Sequence, residues 1–131
     1  MPYGPKVIEH FTRPRNVGEM KGADGIGKAS NDTDGDVVVV YIKVAEGRIV
    51  DISFQTFGCA AAIASSSLFT EMVKGKRVEE ALNIDKQGVA NAFEKGMPAS
   101  KVQCSILAPE ALRRALDDYR QRRGKGPIQD G

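Results

Sequence analysis

The stretch Phe54-Gln55-Thr56-Phe57-Gly58-Cys59-Ala60-Ala61-Ala62-Ile63-Ala64-Ser65-Ser66-Ser67 reads as a strand that runs into a glycine, sets a thiol at the turn and continues as a helix of small side chains. Val50, Ile52, Phe54 and Thr56 alternate with Asp51, Ser53 and Gln55, the period-two pattern of a strand with one buried face, and Gly58 ends it. From Ala61 the apolar positions change to helical spacing through Ala64, Leu68 and Met72, with Gly75 placed to close the helix as a C′ residue. Cys59 therefore falls at a helix N-terminus. Unpaired N–H groups and the positive end of the macrodipole there favour a thiolate, and the short flanking side chains leave room for an ion or cluster. For a lone cysteine the plainer reading is a small buried hydrophobe. The rest of the chain has to decide between them.

Working backwards, Val37-Val38-Val39-Val40-Tyr41-Ile42-Lys43-Val44 is β-branched enough for a strand, and Ala45-Glu46-Gly47-Arg48 makes a hairpin turn into the strand that ends at Gly58. Just before it stands Asn31-Asp32-Thr33-Asp34-Gly35-Asp36. Such a cluster is usually a polar turn with Asx-type hydrogen bonds, although Asp34 and Asp36 around Gly35 also allow two carboxylates to converge on one ion. The Gly25-Ile26-Gly27 motif upstream is too short, and in the wrong context, to claim a phosphate site. Tyr3, Val7 and Phe11 recur at four-residue spacing, so residues 5 to 12 read as a short amphipathic helix that Pro14 stops. His10, the only histidine, lies on it and, with no partner ligand close in sequence, reads as a surface or helix-packing residue.

Working forwards, Val78 to Leu82 is a short helical piece, and Asp85 caps a further helix that ends near Gly96. Ser105 is a good N-cap for the last helix, whose inner face is Ala108, Leu112, Ala115, Leu116 and Tyr119. Cys104 thus repeats the setting of Cys59, and two thiols at helix N-termini are harder to dismiss than one.

The bulk properties agree with a globular chain. It has 131 residues, 41% hydrophobic and 27% charged, which is one domain (residues 1–131) with enough apolar material for a core and no need of staples. No apolar run is long enough for a membrane span, and the first residues carry no apolar signal core, so the expectation is a cytoplasmic protein in which two cysteines serve as ligands or catalysts. A net charge of +2 does not argue for nucleic acid. The basic residues from Arg113 to Lys125 read as a solvated helix face that frays into a flexible tail over residues 120–131. Three strands followed by helices give an α+β fold, a small three-stranded antiparallel sheet with helices packed on one face. In it, the end of the third strand, the turn before the second and the start of the last helix are free to meet.

Taken together, Tyr3, Val7, His10-Phe11, Pro14-Arg15-Asn16-Val17-Gly18, Gly35-Asp36, Thr56-Phe57-Gly58-Cys59, Ala62-Ile63-Ala64, Gly75-Lys76 and Lys101 with Cys104-Ser105 resemble the IscU/NifU family of iron–sulfur cluster scaffold proteins, in order over residues 3 to 119. The resemblance implies a cluster built at one exposed end of the fold. It also implies partners: a cysteine desulfurase, an iron donor and acceptor apoproteins, with a monomer or a cluster-bridged dimer as the working state. A protein of this kind turns over no small-molecule substrate by itself.

The family site usually has three cysteines, an aspartate and a histidine. By resemblance Cys59 and Cys104 are the second and third cysteines, and Asp36 is the aspartate. Asp34 stands where the first cysteine would be, and Gln103 where the histidine would be. The stretch Met97 to Lys101, which many bacterial relatives present to a dedicated chaperone, is degenerate here. The resemblance makes Asp34, Asp36, Cys59 and Cys104 the ligands, Cys104 the persulfide acceptor, and Lys101 and Gln103 supporting residues. Two thiolates and two carboxylates still give two ligands per iron of a 2Fe–2S cluster, but as a harder set than four thiolates, which favours easy release. The same donors would hold a single Zn2+ or Fe2+. A mononuclear persulfide acceptor that passes sulfur on without building clusters is therefore the alternative. Zinc-dependent sulfur acceptors of the family typically carry an insertion between their last two cysteines; this chain shows none, which favours the scaffold.

Overall fold

The computed structural model describes residues 5–31, 35–58, 60–84 and 107–122. In chain order the elements are α1 (Pro5–Thr12), β1 (Gly25–Asn31), β2 (Asp36–Ala45), β3 (Arg48–Phe57), α2 (Ala60–Val73), α3 (Val78–Leu82) and α4 (Leu107–Arg122). The strands form one antiparallel sheet in the order β1-β2-β3. The helix expected between Asp85 and Gly96, and the cap at Ser105, lie outside the described residues.

The hairpin forms as its sequence suggests. Glu46 and Gly47 take φ of +53° and +75°, the two positive values of a tight turn that matches the twist of its flanking strands. Just beyond it the ladder slips, because Lys43 pairs with Asp51 while Val44 pairs with Ile49. Val50 is the extra residue of a bulge, so it is 48% exposed and Ile49 takes the buried position. The strict alternation expected from Val50 therefore starts only at Ile52.

One face of the sheet carries Val38, Val40, Ile42, Ile52 and Phe54, all buried, and α2 and α4 close over it with Phe69, Val73, Leu112 and Leu116. Removing such a side chain from water contributes about 1.5–3 kcal/mol each. The opposite face carries Lys28, Lys43 and Gln55, which are exposed, and Tyr41, whose hydroxyl donates to Gln55 Oε1 at 2.5 Å. Burial, and secondarily the Glu19 carboxylate, pushes the Tyr41 phenol above its ordinary pKa, so it stays a neutral donor.

The two inner glycines of β1 set how α4 lies. A Cβ at Gly25 would collide with the backbone carbonyl oxygen of Ala115, and one at Gly27 with the carbonyl oxygen of Ala111 and the backbone nitrogen of Ala115. The Gly25-Ile26-Gly27 motif is therefore a seat for a helix backbone. The contact also sets direction: Ala111 faces Gly27 and Ala115 faces Gly25, so α4 starts at the Asn31 end of β1. Asp118 Oδ2 accepts the Ile26 N–H at 2.9 Å and Arg114 donates to the Lys28 carbonyl at 2.9 Å, which satisfies backbone groups on the outer edge of β1. α4 continues to Arg122, which donates to the Ala23 carbonyl, so residues 120–122 are helix, and residues 123–131 lie outside the described ones.

Replacing Gly27 by alanine is expected to lower stability by about 1–3 kcal/mol, as overpacking against a rigid neighbour does. Urea unfolding measures it, and an unchanged midpoint would mean that α4 is not seated on this glycine.

Candidate metal and sulfur site

Strand and helix directions bring several ends together. Asp36 opens β2, Phe57 and Gly58 close β3, α2 starts at Ala60, and α4 starts at the same end because of its seat on β1. The start of β2, the end of β3 and the start of α4 thus lie at one end of the fold, and residues 32–34 of the turn lie outside the described ones. Cys59 lies between Gly58 and α2, Cys104 three residues before Leu107, and Asp34 two residues before Asp36. Asp34, Cys59, Lys101, Gln103 and Cys104 themselves lie outside the described residues.

Asp36 is described, and it is not displayed on the surface: it is 2% exposed. It shares the helix-covered face with Val38, Val40 and Ile42. Its carboxylate lies against the backbone of Gly58, where a Cβ would run into it. Phe57, opposite Val37 on the other face, is 74% exposed. The end of the sheet thus has a carboxylate tucked inward and an aromatic ring turned outward, directly before a thiol in sequence. Among the described residues no three His, Cys, Asp or Glu side chains gather closely enough to hold a metal ion.

His10 belongs elsewhere. It is 3% exposed, packed between α1 and α2, with Nδ1 2.8 Å from Ser67 Oγ and Nε2 3.6 Å from Glu71 Oε1. Ser67 Oγ also accepts the Arg15 N–H at 2.9 Å, and Asn16 donates to Thr70 Oγ1 at 3.1 Å. The backbone then joins the sheet edge, where Asn16 and Gly18 exchange hydrogen bonds with Phe54. Ser67, Thr70 and Glu71 are spaced as one helix face. That polar spacing was the available signal for this dock, and the helix-packing reading of His10 holds.

Replacing Ser67 by alanine removes the hydroxyl that accepts the Arg15 N–H and meets His10 Nδ1, and the expected loss is about 1–3 kcal/mol. Faster amide exchange over residues 8–18 would accompany it. An unchanged exchange pattern would mean that α1 is held by apolar contacts alone.

The chain is similar to known proteins over nearly its whole length. The model of the NifU-like N terminal domain family matches residues 2–126. The chain is 55% identical over 123 residues to an iron-sulfur cluster assembly scaffold protein IscU of Archaeoglobus fulgidus, covering 94% of this chain and 80% of that protein. The protein of the same description in Escherichia coli is 46% identical over 127 residues, covering 94% of this chain and 98% of that one. Among solved structures, a NifU-like protein (N-terminal) from Brucella abortus superposes with a TM-score of 0.78 at 18% identity, covering 92% of this chain and 96% of that one, which is a likeness of fold. With the sheet and its helices arranged as the resemblance implied, this chain belongs to the NifU-like N-terminal domain family.

Proposed function

We propose that this chain is a scaffold on which an iron–sulfur cluster of 2Fe–2S type is assembled, with sulfur taken from a cysteine desulfurase, and from which it passes to acceptor apoproteins. The relatives named above are scaffold proteins by description, none is described as an enzyme, and the family carries iron–sulfur chemistry. The observation that carries the reading to this chain is the Asp36 carboxylate, buried against Gly58 immediately before Cys59. A buried carboxylate against the residue that precedes a cysteine suits a metal cargo, whose positive charge an anionic set of donors favours.

In this reading Asp34, Asp36, Cys59 and Cys104 hold the iron, and Lys101 and Gln103 support them. The Cys104 thiolate attacks the outer sulfur of the desulfurase persulfide. The sulfur–sulfur bond of the donor breaks, its thiolate leaves, and a persulfide forms on Cys104. Two electrons from a reductant outside the chain release that sulfur as sulfide, which bridges the irons. The harder carboxylate ligands make the assembled cluster quick to leave, as a scaffold requires. The site works in the cytoplasm on a single domain with a basic tail after α4. No helix among the described residues is long and apolar enough to cross a membrane.

Anaerobic reconstitution with Fe2+, cysteine and a cysteine desulfurase tests this. Iron and sulfide in equal amounts with a visible charge-transfer band are expected; Zn2+ or iron without sulfide would favour the mononuclear sulfur acceptor instead. Asp34→Cys should lengthen the lifetime of the bound cluster, and an unchanged or shorter lifetime would remove Asp34 from the ligands. Cys104→Ser should abolish persulfide uptake from the desulfurase, whereas normal labelling would move that role to Cys59.

A further inference from the structure

We infer that Gly58 is a positioning residue for the metal site, present because its missing side chain is the space in which the Asp36 carboxylate lies. The inference rests on the proposed reading of Asp36 as a metal ligand and goes beyond it.

The two residues flank the last pair of the ladder. Val37 pairs with Phe57, Asp36 precedes the one at the start of β2, and Gly58 follows the other just past the end of β3. The three nearest atoms that a Cβ at Gly58 would meet are the Oδ1, Cγ and Cβ of Asp36. The Asp36 side chain therefore leans across the Gly58 backbone.

Conformation does not demand this glycine. Gly18, Gly22, Gly35, Gly47 and Gly75 have positive φ, and Gly58 does not. A negative φ is open to any L-residue, so the nearest obstacle to a side chain there is Asp36. Two of those three atoms, Oδ1 and Cγ, swing with the Asp36 side-chain torsion, unlike the backbone obstacles at Gly25 and Gly27, while its Cβ yields only with a small shift of the strand ends. An alanine at 58 therefore displaces the carboxylate first. It is turned off the backbone that leads into Cys59.

The test uses Co2+ as a spectroscopic stand-in for iron, titrated anaerobically into the full chain as wild type, Gly58→Ala, Asp36→Ala and the double variant. The readouts are the thiolate-to-cobalt band and the dissociation constant, with thermal unfolding of the same four proteins. Gly58→Ala is expected to weaken Co2+ by about 10-fold or more, as loss of a ligand's support does, while still unfolding in one cooperative transition. Asp36→Ala is expected to weaken it at least as much, and the double variant no further than Asp36→Ala, because both changes act on one carboxylate.

Wild-type affinity in Gly58→Ala alongside weakened Asp36→Ala would overturn the positioning role and leave Asp36 a ligand. Wild-type affinity in Asp36→Ala would remove Asp36 from the ligands and the inference with it. An equal further loss from Gly58→Ala in the Asp36→Ala background would show that Gly58 acts through something else, and overturn it. Should Gly58→Ala fail to fold, recovery of folding in the double variant would support the contact with Asp36, and failure to recover would overturn it.

Discussion

The contact on which the arrangement depends is that of the α4 backbone with the bare strand surface at Gly25 and Gly27. Without Cβ atoms at those positions the helix axis can approach the sheet more closely than any side chain would allow, and Ala111 and Ala115 present only methyl groups on the helix side. Close approach strengthens dispersion across the interface and fixes the helix in one register, because the carbonyl of Ala115 and the turn at Ala111 each fit over one glycine. Charged side chains then lock the edge, with Asp118 and Arg114 meeting backbone groups of β1. The direction of α4 follows, and with it the end of the molecule at which Leu107 arrives.

α2 solves a different problem. It is covered by the sheet on one side and by α1 on another, so it has almost no solvent face from Ala62 to Thr70. Such a helix needs small side chains on every side, yet a wholly apolar one would not specify where α1 docks. Ser67 and Thr70 meet both needs: they are small, and each receives a hydrogen bond from the segment at Arg15 and Asn16. The Ser66 hydroxyl is buried without a hydrogen-bond partner, and nothing in the structure explains it.

The site end combines these constraints. Asp36 opens β2 and Gly58 follows the last residue of β3, so the Val37–Phe57 pair that ends the ladder keeps the two close together. α2 and α4 both begin there, which turns two helix N-termini towards the same region and favours negative charge in it. A carboxylate held inward at such a place, against the glycine that precedes Cys59, is a constrained charge rather than a surface one free to wander. As the proposed ligand, it would limit by its rigidity the geometries in which a cargo is held, and by its hardness how firmly.

Much of this was legible in the sequence. The helix over 5 to 12, the hairpin at Glu46-Gly47, the strand ending at Gly58 and the inner face of α4 all follow from local periodicity and turn chemistry, which act over a few residues. The family resemblance, carried by motifs strung along the whole chain, gave the architecture and the ligand candidates. Three things depended on tertiary contact. Val50 left the core because a bulge shifted the ladder, and the cause lies in the pairing of two strands. Gly25 and Gly27 looked like a weak loop motif because the helix that needs them is about 90 positions away in sequence. Gly58 reads as a strand terminator and is one, since β3 ends at Phe57, but its contact with the Asp36 side chain emerges only when the strands are laid side by side. Periodicity records what a residue does with its neighbours in sequence; a missing Cβ records what another segment needs, and that is visible only once the segment is in place.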